Sequence, residues 1–214
     1  MALLADKFLF LHIPKTGGSY IRKVIDLIHI NWIEKGHHHS SFPELLDHLS
    51  SNDLFDKTVI CFIRHPLTWY QSRWAFRLSH QSGWQGNGLD LACGSNDFNM
   101  FVNNCIDYTG SDKGWASYKM TKFIDNIPRE LKTFIGKQEN LRNDLISALI
   151  DSGAIVSETE LPPSPKLNMS LNDGKQSHIL AKYDIKTYER VMKFDGEFMN
   201  KYYKSYNVDH KIIF

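Results

Sequence analysis

The chain has 214 residues, of which 42% are hydrophobic, 13% aromatic and 23% charged. A globular chain of this length buries roughly 70% of its unfolded surface, which excludes disorder as the main state and any need for covalent staples. Twenty-five Lys and Arg against twenty-four Asp and Glu leave a net charge of +1, which argues against coating nucleic acid or an anionic membrane by bulk charge.

In chain order, Ala2–Ala5 and 8–13 are apolar runs split by Asp6 and Lys7, each too short to cross a membrane. Neither comes with the basic start and small-residue cleavage site of a signal peptide. Cys61, Cys93 and Cys105 form no CxxC pair; one bridge stays open to them, but a reduced, cytoplasmic setting is the simpler expectation. Residues 8–13, rich in aromatic and β-branched side chains and stopped by Pro14, read as a buried strand. A glycine loop follows, then a helix over 20–30 with Ile21, Val24, Ile25, Leu27 and Ile28 at helical spacing. After a His-rich loop at 36–41 and a short helix near 43–49, Thr58–Ile63 reads as a second buried strand. Pro66 then opens a helix over 67–78.

Residues 79–96 shift to Gly, Ser, Asn and Gln around Trp84, the composition of a functional loop. Helices are expected at 98–106, 141–150 and 184–206, a strand at 134–136, a stiff connector at 161–165 and polar loop at 168–178. The alternation predicts a three-layer, P-loop-like α/β fold with a mainly parallel central sheet, in a single domain over 1–214.

Two stretches carry chemistry. In Pro14-Lys-Thr-Gly-Gly-Ser19, two glycines admit a close ligand, a helix start supplies unpaired N–H groups and a positive dipole end, and Lys15 adds a full charge. That suits phosphate or sulfate. It is no Walker A loop, because the lysine precedes both glycines; the bland reading is a turn with a solvated lysine. Arg64 ends the second strand, aimed at the carboxyl edge where open α/β sheets bind ligands, and Ser72 lies two helical turns on. An arginine fork beside a hydroxyl suits a phosphate. A nucleotide hydrolase would carry a magnesium-binding Asp at that strand tip. The alternative is an Arg that caps carbonyls and a solvated Ser72.

These residues resemble the sulfotransferases. Pro14-Lys-Thr-Gly-Gly-Ser19 is similar to their 5′-phosphosulfate loop, and Arg64-His-Pro66 with Ser72 to their 3′-phosphate motif. Further similarity lies in Phe134-Ile-Gly-Lys-Gln-Glu-Asn-Leu141, in Leu161-Pro-Pro with Asn168-Met-Ser170, and in Asp195, Phe198, Tyr202 and Tyr203. All are typical of the membrane-type carbohydrate sulfotransferases and their soluble bacterial relatives. The resemblance implies transfer of a sulfuryl group from 3′-phosphoadenosine 5′-phosphosulfate (PAPS) to an acceptor hydroxyl, carbohydrate being favoured, without a metal. On that reading Lys15 contacts the bridging oxygen, and Thr16, Gly17, Gly18 and Ser19 wrap the 5′-phosphate, largely through N–H groups. Arg64 and Ser72 hold the 3′-phosphate, Lys175 closes over the donor from the 161–178 segment, and the product is 3′,5′-ADP. The chain departs from the family in having Tyr20 after Ser19, where a second hydroxyl is usual.

Transfer to a hydroxyl calls for a base, and a histidine of ordinary pKa about 6.5 suits it. His37, His38 and His39 stand between the two motifs, and the family spacing, five residues before Glu44, selects His39, with His38 next. Adjacent histidines rarely point at one ion, so a metal is not expected; a solvated loop is the competing reading. His12 is expected in the core, and the 79–96 loop on the acceptor side, with Trp84 as a platform for the acceptor. Rival functions are an ATP-dependent small-molecule kinase and a catalytically silent nucleotide- or glycan-binding module.

Overall fold

The computed structural model describes residues 2–37, 39–80, 83–85, 88–158, 161, 181–206, 208 and 213–214. In chain order the elements are β1 (Ala2–Ala5), β2 (Phe8–Leu11), α1 (Gly18–Leu27), β3 (Trp32–Lys35), α2 (Phe42–Leu45), α3 (Ser51–Leu54) and β4 (Thr58–Ile63). There follow α4 (Pro66–Ser79), α5 (Gly88–Cys93), α6 (Phe98–Tyr108), α7 (Trp115–Ile124), β5 (Thr133–Lys137), α8 (Leu141–Asp151) and α9 (Ile185–Tyr202). They fall into two compact units, one of Met1–Arg64 with Met120–Leu167 and one of His65–Lys119 with Asn168–Phe214.

The first unit holds the sheet, ordered β3-β1-β2-β4-β5. β2, β4 and β5 run parallel, with Leu11 beside Cys61 and Ile63 beside Lys137. β1 runs antiparallel to both its neighbours, so the sheet is mixed. Every residue of β2 and β4 is buried, which is why both read as unbroken apolar runs. Helices α1 and α8 cover one face: Ile21, Val24 and Ile25 of α1 and Leu145, Ala148 and Leu149 of α8 pack with Phe8, Phe10, Ile60 and Phe62.

Two strands lie outside the sequence expectation. β1 turns back to β2 through only Asp6 and Lys7, and such a short link joins antiparallel neighbours. β3 is a four-residue edge strand with Ile33 and Glu34 exposed, so it shows no apolar run.

The second unit is helical. Pro66 occupies the first turn of α4, as its fixed φ favours. Asp97 caps α6 by accepting from Met100 N at 2.7 Å, and Asp184 caps α9 by accepting from Thr187 N at 2.6 Å. Two helices go beyond the sequence expectation, α7 and α5, and α5 corrects the reading of 79–96 as loop throughout. Its sequence, GLDLAC, starts on a glycine and is too short to show a helical period, but Leu89 and Cys93 are buried four residues apart. Between them Asp90, fully buried, accepts from both Arg73 and Arg77 of α4. That pairing is tertiary and leaves no periodic trace. Of the 161–178 segment only Leu161 lies among the described residues.

Candidate active site

From β2 the chain passes through α1 to β3 on one flank of the sheet; β4 continues to β5 on the other. The carboxyl ends of β2 and β4 therefore sit side by side where the connections diverge, the position at which open α/β sheets bind ligands. The loop after β2 carries Lys15 to Gly17, and Arg64 directly follows β4.

Register alone brings the two motifs to one edge, and hydrogen bonds fix them there. Arg64 Nη1 donates to the Lys15 carbonyl oxygen at 3.3 Å, and Arg64 N donates to Met120 Sδ at 3.3 Å. Lys15 sits at φ +66° and Gly17 at φ +95°. A left-handed conformation at a lysine costs on the order of 1–2 kcal/mol, and strain of this kind gathers at binding sites. Alternating left-handed residues also turn backbone N–H groups into a concavity suited to an anion.

The glycines have a second reason to be glycines. A Cβ on Gly17 would lie 2.6 Å from Leu141 Cδ2, and one on Gly18 only 2.0 Å from His12 Nε2. Neighbouring side chains, rather than a ligand alone, demand the bare backbone. Leu141 belongs to the 134–141 stretch singled out in the sequence, and its packing on Gly17 is what ties that stretch to the loop. Thr16 is fully buried and its hydroxyl donates to the Ile13 carbonyl at 2.9 Å, so Thr16 offers a ligand its backbone, while the Ser19 hydroxyl is exposed in the first turn of α1.

His39 also reaches this edge. Its Nδ1 lies 3.0 Å from the His12 carbonyl oxygen, and its ring meets the His12 ring edge-on at 4.6 Å between centroids. A carbonyl only accepts, so the neutral ring carries its proton on Nδ1 and Nε2 is the basic nitrogen. The capping box of α2 holds the loop: Ser41 N donates to Glu44 Oε2 at 2.7 Å, and Lys122 Nζ bonds Glu44 Oε1 at 2.9 Å. The Lys122 hydrogen bond, with help from Ser41, draws the Glu44 carboxyl down to about 2. His12 is half-buried and stacks on Phe10 as well as meeting His39, so it stands in the site's wall rather than in the core. The sequence could not reveal this role, because the contact to His39 uses a main-chain carbonyl that any residue owns.

The remaining candidates lie in the second unit or outside the described residues. Ser72 is buried on α4 in the second unit, between Gln71, which donates to the Ala181 carbonyl, and Arg73. Trp84 is half-buried, tilted against Phe101 at 5.2 Å, and donates to Asn96 Oδ1 at 3.2 Å. It anchors its own loop. His65 is buried among Tyr203 and Tyr206, and burial lowers its imidazole to about 4. His38 and Lys175 lie outside the described residues. No group of three or more His, Cys, Asp or Glu converges as a metal site among the described residues.

A cleft of about 480 Å3 opens at the opposite edge of the sheet, lined by Lys7, Lys57 and Lys132 but equally by Asp56, Glu130 and Asp151. With charge matched three to three, and Lys57 and Lys132 already bonded to the Asp6 and Asp151 carbonyls, it has no excess for an anion. The loop edge, with two cations and a helix start, does. No helix among the described residues is long and apolar enough to cross a membrane. Comparison of the chain with protein-family models, with curated proteins and with solved structures gives no match in any of the three.

Proposed function

We propose that the protein is a sulfotransferase on a three-layer, P-loop-like scaffold, moving the sulfuryl group of PAPS to an acceptor hydroxyl, with a carbohydrate hydroxyl favoured. The observation that carries this reading is the junction of Arg64 with the Lys15 carbonyl. It gathers two cations and the start of α1 at one sheet edge, as a ligand with phosphates at both ends of a nucleoside requires.

The donor supplies an activated sulfuryl group on a phosphate leaving group. Lys15 neutralises charge growing on that phosphate, and the N–H groups of Gly17, Gly18 and Ser19 cradle it. Arg64 and Ser72 take the 3′-phosphate. His39, with its Nδ1 proton committed to the His12 carbonyl, receives the acceptor's proton at Nε2. Lys175 and Trp84 are assigned to the donor cover and the acceptor side. A cytoplasmic location fits the reduced cysteines.

Calorimetry with 3′,5′-ADP, 5′-AMP and ATP tests the assignment. The expected result is a strong preference for 3′,5′-ADP; equal binding of ATP would overturn it. A panel of glycans and small alcohols with labelled donor then identifies the acceptor.

A further inference from the structure

The backbone of His39 is strained. Its φ of +60° lies in the left-handed region, which a residue with a side chain enters rarely and keeps only where its surroundings hold it. His12 holds it at two points. The His12 carbonyl lies 3.0 Å from His39 Nδ1, and the His12 imidazole meets the His39 ring edge-on, 4.6 Å between centroids and 69° between planes.

The His12 ring can do this because it is wedged in place itself. It stacks on Phe10 at 6.0 Å and 21°, and Phe10 belongs to the core beneath α1 and α8. Its far edge abuts Gly18, where a Cβ would come within 2.0 Å of Nε2 and 2.1 Å of Cδ2. The core, the start of α1 and the candidate base thus meet on one imidazole.

We propose that the His12 side chain is a positioning residue, whose imidazole fixes the plane of the His39 ring so that Nδ1 stays on the carbonyl and Nε2 stays the basic nitrogen. A hydrogen bond sets the direction of the N–H but lets the ring swing about that axis. A second contact, made to the ring itself, removes the swing. A base must face the proton it takes, and it does so best when its neighbours' rotamers are locked by packing. The role of His39 as base rests on the sulfotransferase reading; the grip on its ring rests on the contacts alone.

Nitrogen NMR of the full chain labelled in histidine reads the grip directly, with His39 assigned by the signals lost in His39→Gln. In the unsubstituted protein the neutral His39 ring is expected to carry its proton on Nδ1. His12→Ala keeps the carbonyl and removes the ring, and there His39 is expected to show the averaged tautomers of a mobile imidazole. His12→Phe, which restores a flat ring, is expected to bring back the Nδ1 form. In transfer assays His12→Ala should lower kcat about 10-fold, less than loss of the base itself, and leave 3′,5′-ADP affinity within about twofold. His12→Phe should recover most of that loss. An unchanged His39 tautomer in His12→Ala would overturn the proposal, since the carbonyl would then suffice by itself. Undiminished kcat in that variant would overturn it as well. If the unsubstituted protein transfers a sulfuryl group to no acceptor, the sulfotransferase reading falls and the nitrogen spectra alone decide the grip. If His12→Ala does not fold, His12→Leu, which fills the space without a ring, takes its place with the same expectations.

Discussion

The guanidinium of Arg64 rests on the main-chain carbonyl of Lys15, Nη1 to oxygen 3.3 Å, across two adjacent parallel strands. One hydrogen bond thus couples the tip of β4 to the loop after β2. It turns the positively charged fork toward the same edge as the helix start, and it helps to hold Lys15 in its left-handed conformation.

Arg64→Ala removes both the fork and the loop's tie. A hydrogen bond to a charged group is worth about 1.5–3 kcal/mol. The variant should therefore bind 3′,5′-ADP roughly 10- to 150-fold more weakly by calorimetry, with Arg64→Lys between the two. Unaltered affinity in Arg64→Ala would remove Arg64 from the nucleotide site.

Lys15 permits charge and strain to be separated. Lys15→Ala keeps the φ +66° penalty and Lys15→Gly relieves it, so the glycine variant should be the more stable of the two by about 1 kcal/mol in urea unfolding. Both should lose transfer alike, since neither has the amine. A glycine variant that retains turnover would show that the loop's shape alone suffices.

His39→Ala should lower kcat by roughly 10²- to 10⁴-fold while 3′,5′-ADP affinity stays within about twofold, the pattern of a lost base rather than a lost binding contact. Normal turnover in this variant together with loss in His38→Ala would shift the role by one residue.

Gly18 and His12 share one space. Gly18→Ala places a methyl 2.0 Å from His12 Nε2 and should destabilise the fold by about 1–3 kcal/mol, since neither a helix backbone nor a packed ring yields easily. His12→Ala in the same chain should recover much of that loss. Additive losses in the double variant would mean that the two do not meet.

Asp195 predicts a pH dependence of stability. It is fully buried, accepts from Ser117 N at 2.8 Å and Tyr70 OH at 3.1 Å, and burial still raises its carboxyl from 3.8 to about 6. The folded state then holds the proton more tightly than the unfolded one. The stability this carboxyl contributes is present below about pH 4 and lost as pH rises to about 6, a change of roughly 3 kcal/mol. Unfolding by urea across that range, compared with Asp195→Asn, should show the fall only in the unsubstituted protein. Parallel curves would mean that Asp195 titrates normally.

The parallel strands and the long helices were legible because each buries its residues in a pattern that chain order preserves. Phe8 to Leu11 and Thr58 to Ile63 are apolar at every position, and α9 repeats its apolar residues every three or four. The glycine loop, Arg64 and His39 were legible as residue types in order. Hidden elements are those whose stability comes from distant partners: α5 through Asp90 with two arginines of α4, and β3 through pairing with β1.

By itself the sequence determined which side chains could meet an anion and which strands would lie buried, because charge and hydrophobic periodicity are local properties. Only the tertiary structure decided that Lys15 and Arg64 share an edge, that His39 is oriented by the carbonyl of His12, and that Gly17 and Gly18 are bare to admit Leu141 and His12. Those facts depend on strand order and on main-chain atoms common to every residue, and neither is written in side-chain identity.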